Sequence, residues 1–138
     1  MTDTQFARQV CHLLKIQLPT FHRNASFDST TQLAAMDVRN NVMYLGKTSD
    51  SRDMFYAIAH ELRHRWQYLQ HWDIASHADS SELSIDDYNL QPEEIDAHTF
   101  AVVVMRSLGC EPLLNGLSDD VKAKIHARAD KIYHDIKK

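Results

Sequence analysis

The stretch His60-Glu61-Leu62-Arg63-His64 reads H-E-x-x-H and sits in a run with helical periodicity from about Ser51 to Gln70. In a helix, residues four apart lie one turn apart on one face, about 6 Å along the axis. Two imidazoles so placed can reach a single Zn²⁺, with Glu61 beside them as general base. Nine histidines in 138 residues give about 0.02 such matches in random order, so the surroundings of the motif have to decide.

Stepping at 100° per residue gathers Phe55, Ile58, Ala59, Leu62, Trp66 and Leu69 on one side, an ordinary core stripe. His60 and His64 fall on the opposite side with Asp53, Ala57, Gln67 and His71. A surface helix carries long charged residues there. Histidines flanked by Ala57 and Gln67 imply a helix held between a core and a cleft; the plainer alternative is a pair of solvated histidines.

A chain of 138 residues with 43% apolar and 25% charged residues is read as one globular domain, 1–138. Three Gly and three Pro beside long apolar-periodic runs favour a mainly helical chain. The net charge of -4 and the lack of any Lys/Arg block argue against direct nucleic-acid binding. Cys11 and Cys110 are far apart and form no C-x-x-C pair, so they read as free thiols of a reducing compartment. Met-Thr-Asp-Thr-Gln has no secretory pattern and no apolar run reaches membrane-spanning length, so the expected location is cytoplasmic, without membrane.

Residues 3–16 read as a helix capped by Thr2, Asp3 or Thr4, with Phe6, Val10, Leu13 and Leu14 buried. Pro19 breaks it, and the chain is extended around Ile16 to Phe21. A polar turn follows over Asn24 to Thr31. Leu33 to Val38, Arg39-Asn40-Asn41 and Val42 to Leu45 then read as a hairpin, because Asn tolerates the positive φ of tight turns. These make a small antiparallel sheet of two or three strands. Gly46 ends the last strand, and Ser49-Asp50-Ser51 supplies a cap for the motif helix. The polar segment 72–91 is long for a connection and reads as a lid, a short helix or a loop, with His77 better explained as a solvated residue than as a ligand.

Pro92 suits the first position of a helix running to Leu108, stopped by Gly109, and acids follow it in the positive first turn. Apolar residues surround this helix, so it is buried, and a buried carboxylate needs a counter-charge or a metal. Glu94 shares its face with Ala97, Ala101, Met105 and Leu108, which makes it the candidate third ligand; Glu93 and Asp96 point elsewhere on the wheel. Ser118-Asp119-Asp120 caps a last helix that buries Val121, Ile125, Ala129, Ile132 and Ile136 and leaves His126 and His134 on the surface.

With His60, Glu61, His64 and Glu94 in order, and with Glu94-Ile95-Asp96-Ala97 followed by Phe100-Ala101, the chain resembles the gluzincins, zinc metallopeptidases with two His ligands and one Glu. It is most similar to compact ones, the minigluzincins and the ImmA/IrrE family, over roughly residues 3–108. The resemblance implies an α+β, zincin-like domain, mainly helical, with a small sheet, an active-site helix and a glutamate helix. It implies a metalloendopeptidase acting on one or a few cytosolic protein or peptide substrates. His60, His64 and Glu94 would hold Zn²⁺, with the fourth position left to water and Glu61 taking its proton. Val42 to Leu45 would line the cleft and pair with extended substrate. A second oxyanion donor is expected of this chemistry, with Tyr88 the candidate and Tyr56 and Tyr68 the alternatives. Four residues after Glu94, where such families carry Asn or Asp, this chain has His98, expected to support a zinc histidine or to add a ligand. The competing reading is a metal-binding interaction or regulatory module with little or no peptidase activity. Glu61 argues against it, because a pure binder has no need of a base.

Overall fold

The computed structural model describes residues 1–27, 32–47, 51–72, 85–110, 112, 114 and 117–137, and of 85, 86, 130 and 132–137 the backbone alone. Among these residues five helices and three strands follow in the order α1 Asp3–Leu14, β1 Thr20–His22, β2 Ala34–Asp37, β3 Val42–Leu45, α2 Ser51–Leu69, α3 Ile85–Asn89, α4 Pro92–Ser107 and α5 Asp119–Lys137. The architecture is α+β and mainly helical. His77, His134, the buried stripe expected at Ile132 and Ile136, and the cap expected at Ser49 and Asp50 lie outside what is described.

α1 opens with a capping box: the Gln5 amide N–H donates to the Thr2 hydroxyl, and the Thr2 N–H donates to the Gln5 side chain. It stops at Leu14, two residues earlier than the periodicity suggests, because Lys15 turns left-handed at φ 59 and lets the Ile16 N–H reach back to the Cys11 carbonyl. Phe6, Val10, Cys11 and Leu14 are buried, whereas Leu13 is turned outward.

The sheet is mixed, not antiparallel throughout. β2 and β3 form the expected hairpin, Ala34 opposite Leu45 and Asp37 opposite Val42. Its turn is tied by the Asp37 carboxylate, which accepts from the Asn40 main-chain and side-chain N–H groups, and by Asn41 at φ 58. β1 adds to the other edge of β3 and runs parallel to it, Thr20 opposite Val42 and His22 opposite Tyr44. The chain reverses once between β1 and β2 and again at the hairpin, so β1 and β3 point the same way. Asn41 fixes the choice of edge, since its carbonyl accepts from the Thr20 N–H and its side-chain N–H donates to the Leu18 carbonyl. The strand order β1-β3-β2 makes β3 the centre of the sheet. β2 pairs with it from Val42 to Leu45 and β1 from Val42 to Tyr44, with the Leu45 carbonyl accepting from the Ala25 N–H, so it has no room for an added strand; among the described residues the free edges belong to β1 and β2.

α2 packs against α1, β2 and, most extensively, α4, which in turn covers α5. Ile58, Ala59 and Leu62 of α2 are fully buried against Phe6, Phe100 and Met43, and the Phe6 and Phe55 rings stack at 4.5 Å. Each large apolar side chain so buried stabilises the fold by about 1.5–3 kcal/mol. α4 is buried from Glu94 to Met105 except at His98. It ends where Gly109, at φ 79, lets the Gly109 and Cys110 N–H groups reach the Arg106 and Met105 carbonyls. No helix among the described residues is long and apolar enough to cross a membrane.

Candidate metal centre

The first turn of α4 lies across the C-terminal half of α2, and this crossing builds the site. Helical spacing stacks His60 and His64 on the face of α2 opposite its buried Ile58–Leu62 stripe, and the first turn of α4 brings Glu94 down between them. His60 Nε2 lies 3.2 Å from His64 Nε2 and 3.0 Å from Glu94 Oε2, and His64 Nε2 lies 3.2 Å from Glu94 Oε1. Zn²⁺ bonded at 2.0–2.1 Å in a tetrahedron needs donors about 3.3 Å apart. The separation of the two imidazole nitrogens, and the approach of each nitrogen to its own Glu94 oxygen, are within a few tenths of an ångström of that, and imidazole nitrogen and carboxylate oxygen are donor types zinc takes. His60, His64 and Glu94 therefore form a cluster that could hold a metal ion. Glu94 is 2% exposed and the side chains of its two partners are about one-eighth exposed.

Burial raises the pKa of Glu94, but the charge and hydrogen bonds of His60 and His64 outweigh it and leave the carboxyl well below its ordinary range. The same pairing acts in reverse on His64. Burial pulls it down, yet Glu94 above all, then Glu61 and Gln67, push it up to about 9. Glu61 is half-buried between the two histidines in sequence, and its pKa is raised, chiefly by burial; His60 and His64 oppose the rise and Glu94 adds to it. A carboxylate made more basic in this way is suited to accept a proton.

Sequence reasoning weighs His98 as a support or an added ligand. The structure stacks its ring 4.3 Å from that of His60. Its nitrogens go elsewhere: Nε2 lies 3.3 Å from Asn89 Oδ1 and Nδ1 lies 2.7 Å from the Tyr56 hydroxyl. Burial, then the charge of His60, lowers the His98 pKa to about 3, so its ring is neutral. With Nε2 donating to Asn89, Nδ1 accepts the Tyr56 proton. His60 Nδ1 is buried and finds no hydrogen-bond partner among the described residues. Tyr56 is the tyrosine whose contacts reach the cluster, with its ring 6.5 Å from that of His60, and burial followed by the charge of Glu94 raises its pKa. Tyr88 is half-buried on α3, and Tyr68 is exposed, its ring under the Arg65 guanidinium.

A second buried carboxylate escapes the helical-wheel reading. Asp96 is fully buried and accepts from Arg63 Nε at 2.7 Å, from Arg128 Nη2 at 2.8 Å and from Gln67 Nε2 at 2.9 Å. The signal was available: the argument that a buried acid needs a partner applies to Asp96 as it does to Glu94, and Arg63 is a cation inside the motif itself. Arg128 carries no such signal, because nothing in the periodicity of α5 aims it at α4.

Comparison with protein families, with curated proteins and with solved structures returns no match.

Proposed function

We propose that this chain is a zinc-dependent metallopeptidase of compact gluzincin type, acting on protein or peptide substrates in the cytoplasm. The observation that carries the reading is the convergence of His60 Nε2 and His64 Nε2 on the Glu94 carboxylate, each about 3 Å from one of its oxygens, with Glu61 next to His60 on the same helix. When bound, zinc would supply Lewis acidity, lowering the pKa of water and polarising a carbonyl. Glu61, with its raised basicity, takes the proton of the attacking water and passes it to the departing amine. The neutral His98 ring, pinned by Tyr56 and Asn89, forms a wall beside His60 that limits the approach of solvent. An extended substrate would pair with the edge of β2 that is unpaired among the described residues, the strand packed along α2, since β3 lies between β1 and β2.

Two measurements test this. Elemental analysis of protein purified without chelator should find about one zinc per chain, and Glu94→Ala should lose most of it. Cleavage, read by mass spectrometry on unfolded protein substrates, should vanish in Glu61→Gln while zinc stays bound. A wild type that takes up no metal rules the proposal out. Cleavage surviving in the Glu61 variant would remove the base from the mechanism.

A further inference from the structure

A neutral imidazole carries one N–H and one lone pair, so a histidine that binds a cation through Nε2 must keep its proton on Nδ1. Around His64 the structure enforces that choice. His64 Nδ1 lies 2.8 Å from Gln67 Oε1. An amide can present either end, but Gln67 Nε2 is 2.9 Å from the Glu93 carbonyl and 2.9 Å from Asp96 Oδ2. A carbonyl only accepts, and so does an ionised carboxylate. Asp96 stays ionised because Arg63 of α2 and Arg128 of α5 both donate to it. Turning the amide over would set Oε1 against two oxygens and lose both bonds. Gln67 thus has one orientation, Oε1 faces His64, and the His64 proton is held on Nδ1.

We propose that Gln67 is a positioning residue of the metal centre, and that Asp96, clamped between Arg63 and Arg128, sets it. The inference rests on the metal reading above and extends it in two ways. The C-terminal helix, which by periodicity is only structural, becomes part of the centre through Arg128. The two histidines also differ: His64 is anchored, whereas His60 Nδ1 has no described partner. Removing such a support costs about 10–100-fold in metal affinity in well-studied sites.

The test is a zinc competition titration against a chromophoric chelator on wild type, Gln67→Met and Ile125→Val, with thermal melts of the metal-free proteins alongside. Met keeps the volume of Gln67 but cannot accept from His64. Ile125 is fully buried in the α4–α5 core and has no part in the relay, so its variant reports what loss of packing alone does to affinity. Gln67→Met should bind zinc about 10–100-fold more weakly than wild type, and Ile125→Val should bind as wild type does. An affinity for Gln67→Met within threefold of wild type, or an equal loss in Ile125→Val, overturns the relay. Should Gln67→Met fail to fold, the His64 Nδ1 proton of zinc-loaded wild type decides: slow exchange with solvent, as of a proton donated to a buried amide oxygen, supports the proposal, and rapid exchange overturns it. A wild type that binds no zinc defeats the metal reading itself, whereas wild-type binding with an unaffected variant defeats the relay alone.

Discussion

At the scale of single residues, the cluster makes proton and metal compete. In the metal-free chain His64 holds its proton up to about pH 9, because the hydrogen bond and charge of Glu94 overcome burial. A cation entering at His64 Nε2 must displace that proton, so metal uptake should release about one proton per ion and weaken by about tenfold for each pH unit below 9. Calorimetric titration of zinc in buffers of different ionisation enthalpy counts the protons; an affinity flat between pH 6 and 8 would contradict the pairing. Glu61→Gln separates holding the ion from using it: zinc content should be unchanged and kcat should fall by about 10²–10⁴-fold, measured on any substrate that wild type cleaves. The candidate ligands were legible because i,i+4 spacing is a geometric statement in itself, and Glu94 because its helix is apolar all round. Asp96 was legible only as a buried acid in need of a partner, and its link to Gln67 was not legible. A helical wheel gives the angle of a side chain, and 67 and 96 become neighbours only through the crossing of α2 and α4, which no local pattern encodes.

At the scale of elements, α4 carries the strongest demands. It buries two carboxylates within three positions: Glu94 is met by His60 and His64 of α2, and Asp96 by Arg63 of α2 and Arg128 of α5. Removing one partner of a buried ion pair leaves the other uncompensated, so Asp96→Ala should destabilise the fold by about 3–5 kcal/mol, read from urea unfolding by circular dichroism. The acid limb of stability follows from the same residue. Burial raises the Asp96 pKa, but Arg63, with Gln67 and Arg128, holds it below the ordinary 3.8. Its contribution is therefore present above pH 3.8 and lost as the pH falls through the lower folded value. The Asp96 variant, lacking that contribution, should show less loss of stability than wild type between pH 5 and the acid transition. The long helices α1, α2, α4 and α5 were legible from their apolar period, whereas α3 was only one of the alternatives open to the polar segment before α4. The mixed sheet was not, because three residues at Thr20–His22 have no period to read, and the choice of β3's free edge is made by Asn41, whose turn geometry appears only in the folded hairpin.

At the scale of the whole molecule, the centre joins parts that are far apart in sequence. His60 and His64 come from α2, Glu94 comes from α4, and α5 reaches the same network through Arg128. His60 and His64 are neighbours in sequence, but Glu94 and Arg128 are far from them in the unfolded chain, so the complete cluster exists only in the folded state and an ion bound to it stabilises that state. Zinc at 100 times its dissociation constant should add about 2.7 kcal/mol, or about 10 °C in Tm for a chain of this size, and a chelator should remove it. The metal-free protein should also depend on pH in a defined direction. His64 is raised from 6.5 to about 9 in the fold, so its contribution is complete below pH 6.5 and is lost as the pH rises through about 9. Glu94 is lowered from 4.5, so its contribution is complete above that value and is lost in acid. The metal-free chain should then melt lower at pH 9 than at pH 6, while zinc, favoured by the same deprotonation, should raise Tm more at pH 9. Scanning calorimetry with and without zinc at the two pH values measures both effects. An equal zinc shift at pH 6 and pH 9 would mean that the bound ion does not replace the His64 proton.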